Sequence, residues 1–247
     1  MSERNKNPRI IGVIPARYAS TRLPGKMLAD INGQPMVVWV AQGAAKSGVF
    51  DRLLIATDHE KIAEVVRAAG YEAVMTDSAL SSGTARVAEV AKNIEGDVFI
   101  NVQGDDPLVD TDGLKTLSAA FDNPEVKMAT LAFPLHKRDE DNPNAVKVVL
   151  DSKANALYFS RSLIPYPRSK DGFAPLKHIG VYAYRRDILL RLVELAPCDI
   201  EINESLEQLR ALYYGIPIKV LFATQETLSV DTFDDLERVR AFIGRRN

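Results

Sequence analysis

Short apolar runs alternating with stretches of helical periodicity constrain this chain more than any other feature. In the first half, strands are predicted over residues 9–14, 52–56, 72–75 and 97–102, with helices over 36–46, 60–69 and 84–92. Strands and helices alternating at this pace build parallel βαβ units with helices on both faces of one sheet. The strand ends at Pro15, Thr57 and Gln103 then share one edge, where open α/β sheets bind their ligands. The second half predicts strands over 126–133, 145–150, 155–159, 177–184 and 218–222, with helices over 187–195, 204–213 and 234–243. No repeat or Gly/Ser linker interrupts it, and 247 residues suit one α/β domain, 1–247, with an inserted mixed-strand subregion.

The segment after the first strand carries the strongest chemical signal. Gly12-Val13-Ile14-Pro15-Ala16-Arg17-Tyr18-Ala19-Ser20-Thr21-Arg22-Leu23-Pro24-Gly25-Lys26 holds three cations and the aliphatic hydroxyls of Ser20 and Thr21 before the turn Ile31-Asn32-Gly33-Gln34-Pro35, with Pro35 expected at the first position of the next helix. Arg17, Arg22 and Lys26 supply the charge to hold a triphosphate and a departing pyrophosphate. A Walker loop is excluded, because Gly25-Lys26 is followed by Met27 and no glycine stands five residues before Gly25. A dinucleotide G-x-G-x-x-G is absent as well.

The formal net charge of −2 gives no basis for a broadly basic nucleic-acid surface, so the cations of this loop read as a local site. One cysteine, Cys198, precludes an intrachain disulfide framework and fits a reducing compartment. Residues 1–8 carry no apolar signal-peptide core, and no run approaches about 18 apolar residues. The expectation is a cytoplasmic protein without a membrane span.

Further segments fall at predicted strand ends or helix starts. Gln103-Gly104-Asp105-Asp106-Pro107 places carboxylates where a phosphate-bound cation would sit, and Mg²⁺ commonly takes one or two carboxylates, completing its shell with phosphate oxygens and water. Asp231, in Ser229-Val230-Asp231-Thr232, offers another, although Asp231 or Thr232 serves equally as a helix cap. Ser81-Ser82-Gly83-Thr84-Ala85-Arg86 reads either as an ordinary Ser/Thr cap or as a helix start whose N–H groups grip a nucleotide. Thr57-Asp58-His59 carries the same two readings. Arg161, His178 and Tyr182 suit an acidic sugar, and Glu204, Glu207 and Gln208 are predicted on one face of the 204–213 helix. Residues 165–172 have the composition of a lid loop.

Taken together, IPARYASTRLPGK, ATDHE, SSGTARVAEV, NVQGDDPLV, ALYFSRSLIPYPR, KHIGVYAYRR, ESLEQLRALYYG and VDTFDDLERVR resemble the 3-deoxy-manno-octulosonate (Kdo) cytidylyltransferase family, in the family's order from Ile10 to Arg240. Two positions depart from its pattern. Ala85 stands where the family has an acidic residue, and Ile202-Asn203 where it has Gln-Ala.

The resemblance implies a three-layer Rossmann-like nucleotidyltransferase sheet with a smaller mixed-strand subregion for dimerisation and sugar binding. It implies transfer of CMP from CTP to the anomeric hydroxyl of Kdo, for lipopolysaccharide or capsule, with Mg²⁺ as cofactor and a homodimer as the assembly. By the same resemblance Arg17, Lys26, Asp105 and Asp231 are catalytic, with metal on Asp105 and Asp231. Pro15, Ala16, Thr57, Asp58, Ser82, Gly83, Thr84, Arg86 and Gln103 surround the nucleotide together with Arg17 and Lys26. Arg161, His178, Tyr182, Glu204 and Gln208 face the sugar acid. The alternatives are the same reaction on an 8-amino-3,8-dideoxy sugar acid and a non-catalytic nucleotide binder. A related glycosyltransferase ranks below them, since Asp110-Thr111-Asp112, weighed as its Asp-x-Asp metal motif, falls at a helix start and not at the Gln103 strand end.

Overall fold

A computed structural model describes residues 8–20, 22–169 and 174–245. Its strands are β1 (Ile10–Ala16), β2 (Asp30–Ile31), β3 (Gln34–Pro35), β4 (Arg52–Thr57), β5 (Glu72–Met75), β6 (Val98–Asn101), β7 (Met128–Pro134), β8 (Lys147–Leu150), β9 (Ala156–Ser160), β10 (Leu176–Arg185) and β11 (Ile218–Phe222). The helices are α1 (Met36–Lys46), α2 (Glu60–Ala68), α3 (Gly83–Asn93), α4 (Thr111–Ala119), α5 (Arg186–Glu194), α6 (Asp199–Glu204), α7 (Gln208–Tyr213) and α8 (Phe233–Gly244).

The main sheet runs β11-β7-β10-β6-β1-β4-β5, with β8 paired to β10 and β9 to β8. Neighbours β6, β1, β4 and β5 are parallel, and β10 is antiparallel to both β6 and β7. Alternation along each strand splits the apolar residues between two cores. Ile10, Ile14 and Ile55 pack under α1, α2, α4 and α8, while Ile11, Val13 and Leu54 pack under α3, α5 and α7. This is a three-layer α/β/α sandwich. Because β1, β4 and β6 are parallel and in register, their carboxyl ends at Ala16, Thr57 and Asn101 reach one edge, as the alternation predicts.

Two expectations need correction. The run from Glu204 to Tyr213 is not one helix: α6 ends at Glu204, Ser205 turns left-handed at φ 50°, and α7 begins at Gln208. Pro35 is not the first helical residue but the extended residue before it, paired with Asp30 across the β2–β3 hairpin. Asn32 and Gly33 form that hairpin's turn with φ of 50° and 90°, the left-handed geometry that Asn-Gly accommodates. Of the loop read as a lid, residues 170–172 lie outside the described residues.

Candidate active site

The cleft at the carboxyl edge has two compartments that meet at Gly83 and Gln103. Pro15, Arg17, Arg22, Lys26, Ser82, Arg86, Asp105 and Asp231 line the first. Lys26 is positioned by a compact turn. Gly25 adopts a left-handed φ of 69°, and the Lys26 and Leu28 amides donate to the Leu23 and Gly25 carbonyls. The Lys26 ammonium then lies 2.7 Å from Asp105 Oδ2 and 3.2 Å from Asp231 Oδ1, and the Arg22 guanidinium 2.9 Å from the same Asp231 oxygen.

Gly104 permits that convergence. A Cβ there would stand 2.5 Å from the Pro15 carbonyl oxygen, so only glycine lets the 103–107 loop approach the end of β1. The Val230 amide donates to the Asp105 carbonyl at 2.8 Å, fastening the two carboxylate-bearing segments together. Asp231 therefore projects into the cleft, and Thr232 caps α8 in a reciprocal pair with Asp235. Asp106 turns into an adjoining recess. Its Oδ1 finds no hydrogen-bond partner among the described residues, and burial pushes its carboxyl pKa up to about 7.

The α3 start satisfies both readings of its sequence. Ser82 accepts from the Ala85 amide at 3.1 Å as an N-cap, while Gly83 and the residues around it open onto the cleft. Arg86 is buried and is held at 3.1 Å by Asp58, which also accepts from the Tyr18 amide at 2.8 Å. The Tyr18 ring stacks on His59 with centroids 3.8 Å apart. Asp58 thus orients Arg86 and the first loop from behind. It does not line the cleft, and neither do Ala16 and Thr57, both fully buried. Thr84 lines the second compartment, not the first.

His178, Tyr182 and Gln208 line that second compartment with Glu207, Tyr184 and Asn101. Glu207 accepts from Ser82 Oγ at 3.0 Å and Thr84 Oγ1 at 2.6 Å, joining α7 to the α3 start. Burial holds the His178 pKa down, to about 3, so the ring is neutral. Thr130 Oγ1 lies 2.8 Å from the Val181 carbonyl, which can only accept, so the hydroxyl donates there. His178 Nε2, 3.0 Å from the same oxygen, is then the protonated nitrogen and Nδ1 the free acceptor. The Tyr182 hydroxyl is buried without a hydrogen-bond partner among the described residues. An unpaired hydroxyl beside an imidazole acceptor and a carboxylate matches a ligand rich in hydroxyls.

Arg161 and Glu204 do not line either compartment. The Arg161 guanidinium donates to the carbonyls of Pro143, Glu204 and Ser205, and the Glu204 carboxylate accepts from Ser160 Oγ and the Arg161 amide. They clasp the turn between α6 and α7. The break at Ser205 brings Glu207 into the cleft where Glu204 was expected, and no glycine or proline announces that break. Tyr184 was legible from strand alternation, since 178, 180, 182 and 184 share one parity along β10.

Residues 11–220 match the family model described as cytidylyltransferase. A 3-deoxy-manno-octulosonate cytidylyltransferase of Bdellovibrio bacteriovorus is 44% identical over 244 residues, covering 96% of this chain and 98% of the relative. The enzyme of that name from Serratia proteamaculans is 48% identical over 242 residues, covering 93% and 97%. A solved CMP:2-keto-3-deoxy-manno-octonic acid synthetase complexed with CTP superposes with a TM-score of 0.93 at 41% identity, over 97% of this chain and 100% of the other. A cytidylyltransferase from Leptospira borgpetersenii, 14% identical over 96% of this chain and 87% of its own, shares the fold with a TM-score of 0.66.

Proposed function

The chain belongs to the 3-deoxy-manno-octulosonate cytidylyltransferases, and from that premise we propose that its two-compartment cleft joins CMP from CTP to the anomeric hydroxyl of Kdo. The observation that carries the reading is the juncture at Gly83 and Gln103. There a charged compartment suited to a triphosphate meets a hydroxyl-lined one suited to a sugar acid. In the reaction the anomeric oxygen bonds to the α-phosphorus, the α–β phosphoanhydride bond breaks, and pyrophosphate leaves. Such transfers depend on positioning and charge neutralisation, and no covalent protein nucleophile is required.

The roles follow from location. Arg17, Arg22 and Lys26 hold the phosphates and stabilise the charge growing on pyrophosphate. The free amides at the start of α3, with Ser82 and Gly83, contribute neutral donors. Arg86, fixed by Asp58, and Gln103 bound the nucleotide compartment. His178, Tyr182, Glu207 and Gln208 orient the sugar acid, with His178 Nδ1 as an acceptor for one of its hydroxyls.

Asp105 and Asp231 converge on one ammonium, so their oxygens can address one cation, and these residues would hold Mg²⁺. Among the described residues no group of three or more His, Cys, Asp or Glu side chains is arranged to hold a metal, which leaves the remaining ligands to water and phosphate. When bound, the ion neutralises phosphate charge and lowers the pKa of the attacking hydroxyl.

A homodimer accounts for Leu157, Ile202 and Tyr213, which are 61–65% exposed on the neighbouring elements β9, α6 and α7. Among the described residues no helix is long and apolar enough to cross a membrane.

Asp105→Asn tests the assignment. It keeps the volume and removes the charge. Turnover is expected to fall by about a hundredfold or more with an unchanged melting temperature. Undiminished turnover would remove Asp105 from the machinery.

A further inference from the structure

Resting on the reading above, the charged compartment also bears on the order in which its ligands arrive. Asp105 and Asp231 already have counter-ions from the chain itself. The Lys26 ammonium bridges them at 2.7 and 3.2 Å, and Arg22 reaches the same Asp231 oxygen at 2.9 Å. Two carboxylates and two cations make a set with no net charge. The Lys26 side chain is 11% exposed and Asp105 27%, so their pair is shielded from solvent, whereas Arg22 is 63% exposed and contributes less. A divalent cation arriving alone would meet an ammonium already seated on the oxygens it needs. It would also find no third carboxylate to compensate, because Asp106 is turned into the adjoining recess.

We propose that Lys26, assisted by Arg22, is a built-in place-holder that makes metal binding conditional on the nucleotide. The phosphates of CTP offer both cations a more highly charged partner, and the Asp105 and Asp231 oxygens become available only as that exchange occurs. The exchange is confined to side chains. The Lys26 backbone is fixed by its turn with Leu23, and the Asp105 backbone by the Val230 amide, so the ammonium can change partners without moving either segment. Lys26 therefore acts twice: it neutralises Asp105 and Asp231 before the nucleotide arrives and then holds the phosphates. Metal and CTP bind with positive coupling, and metal does not load ahead of the nucleotide.

The test is Mn²⁺ binding to nucleotide-free protein, followed by the electron paramagnetic resonance of the free ion. Lys26→Met is expected to bind Mn²⁺ about tenfold or more tightly than the unmodified protein, since one unit of nearby positive charge is gone. Adding Asp105→Asn to Lys26→Met is expected to abolish that gain, which places the ion between these carboxylates. Arg22→Gln alters an exposed side chain and is expected to tighten binding in the same direction by about threefold. Equal Mn²⁺ affinity in the unmodified protein, Lys26→Met and Arg22→Gln would overturn the proposal. If Lys26→Met does not fold, unchanged affinity in Arg22→Gln alone overturns it. Calorimetric CTP binding to the unmodified protein separates the two levels: its absence would count against the cytidylyltransferase reading, whatever the metal comparison shows.

Discussion

His178 is held neutral in the second compartment because the folded chain encloses its ring, with a pKa of about 3 against an ordinary 6.5. Between those values the unfolded chain binds more protons than the folded one, so stability falls as pH drops below about 6.5. Between pH 7.5 and 5.0, urea unfolding is expected to show the unmodified protein losing up to about 2 kcal/mol more than His178→Gln. Equal losses would mean that the ring takes up a proton in the folded state. At this scale the sequence revealed residue types well and orientations poorly. Arg17, Lys26 and Asp105 stood out because a cationic loop and a Gly-Asp turn both follow predicted strands. Thr57 and Asp58 occupy an equivalent strand end, yet one is fully buried and the other is committed to Arg86 and the Tyr18 amide. Which way a strand-end residue faces depends on pleat parity and the next turn, and composition does not contain either.

Among the elements, the α6–α7 break does most to shape the second compartment. Left-handed Ser205 ends α6 and lets Glu207 and Gln208 face the cleft, while Arg161 gathers the carbonyls of Pro143, Glu204 and Ser205. Arg161→Ala is expected to cost about 2 kcal/mol of stability, since carbonyls lose a charged donor. It is also expected to raise the KM for the sugar acid more than that for CTP. Denaturant unfolding and steady-state kinetics check both, and unchanged stability would remove the clasp. The apolar spacing of the 204–213 run fits one helix. A left-handed serine is uncommon and carries no local mark, so the break was not legible. The helix starts at Ser82, Asp110 and Thr232 were legible, because short polar side chains there accept amides three residues on.

For the whole molecule, the alternation of strands and helices in the first half was sufficient to predict a sheet covered on both faces. Its shared strand edge is where the cleft lies. The antiparallel insertion of β10 between β6 and β7, and the extension through β8 and β9, depend on long-range pairing that no local pattern encodes. The proposed homodimer, built on the exposed apolar side chains of β9, α6 and α7, has twice the 27.3 kDa chain mass. Sedimentation is expected to show that dimer, and Leu157→Glu combined with Ile202→Glu to give the monomer; a monomeric unmodified protein would contradict the assembly. Pyrophosphate release from CTP and Mg²⁺, with and without Kdo, reads the chemistry across the Gly83–Gln103 juncture. Release is expected to require Kdo and to form one CMP-sugar per pyrophosphate. Release at the same rate without sugar, or none with Kdo although CTP binds, would contradict the proposed reaction.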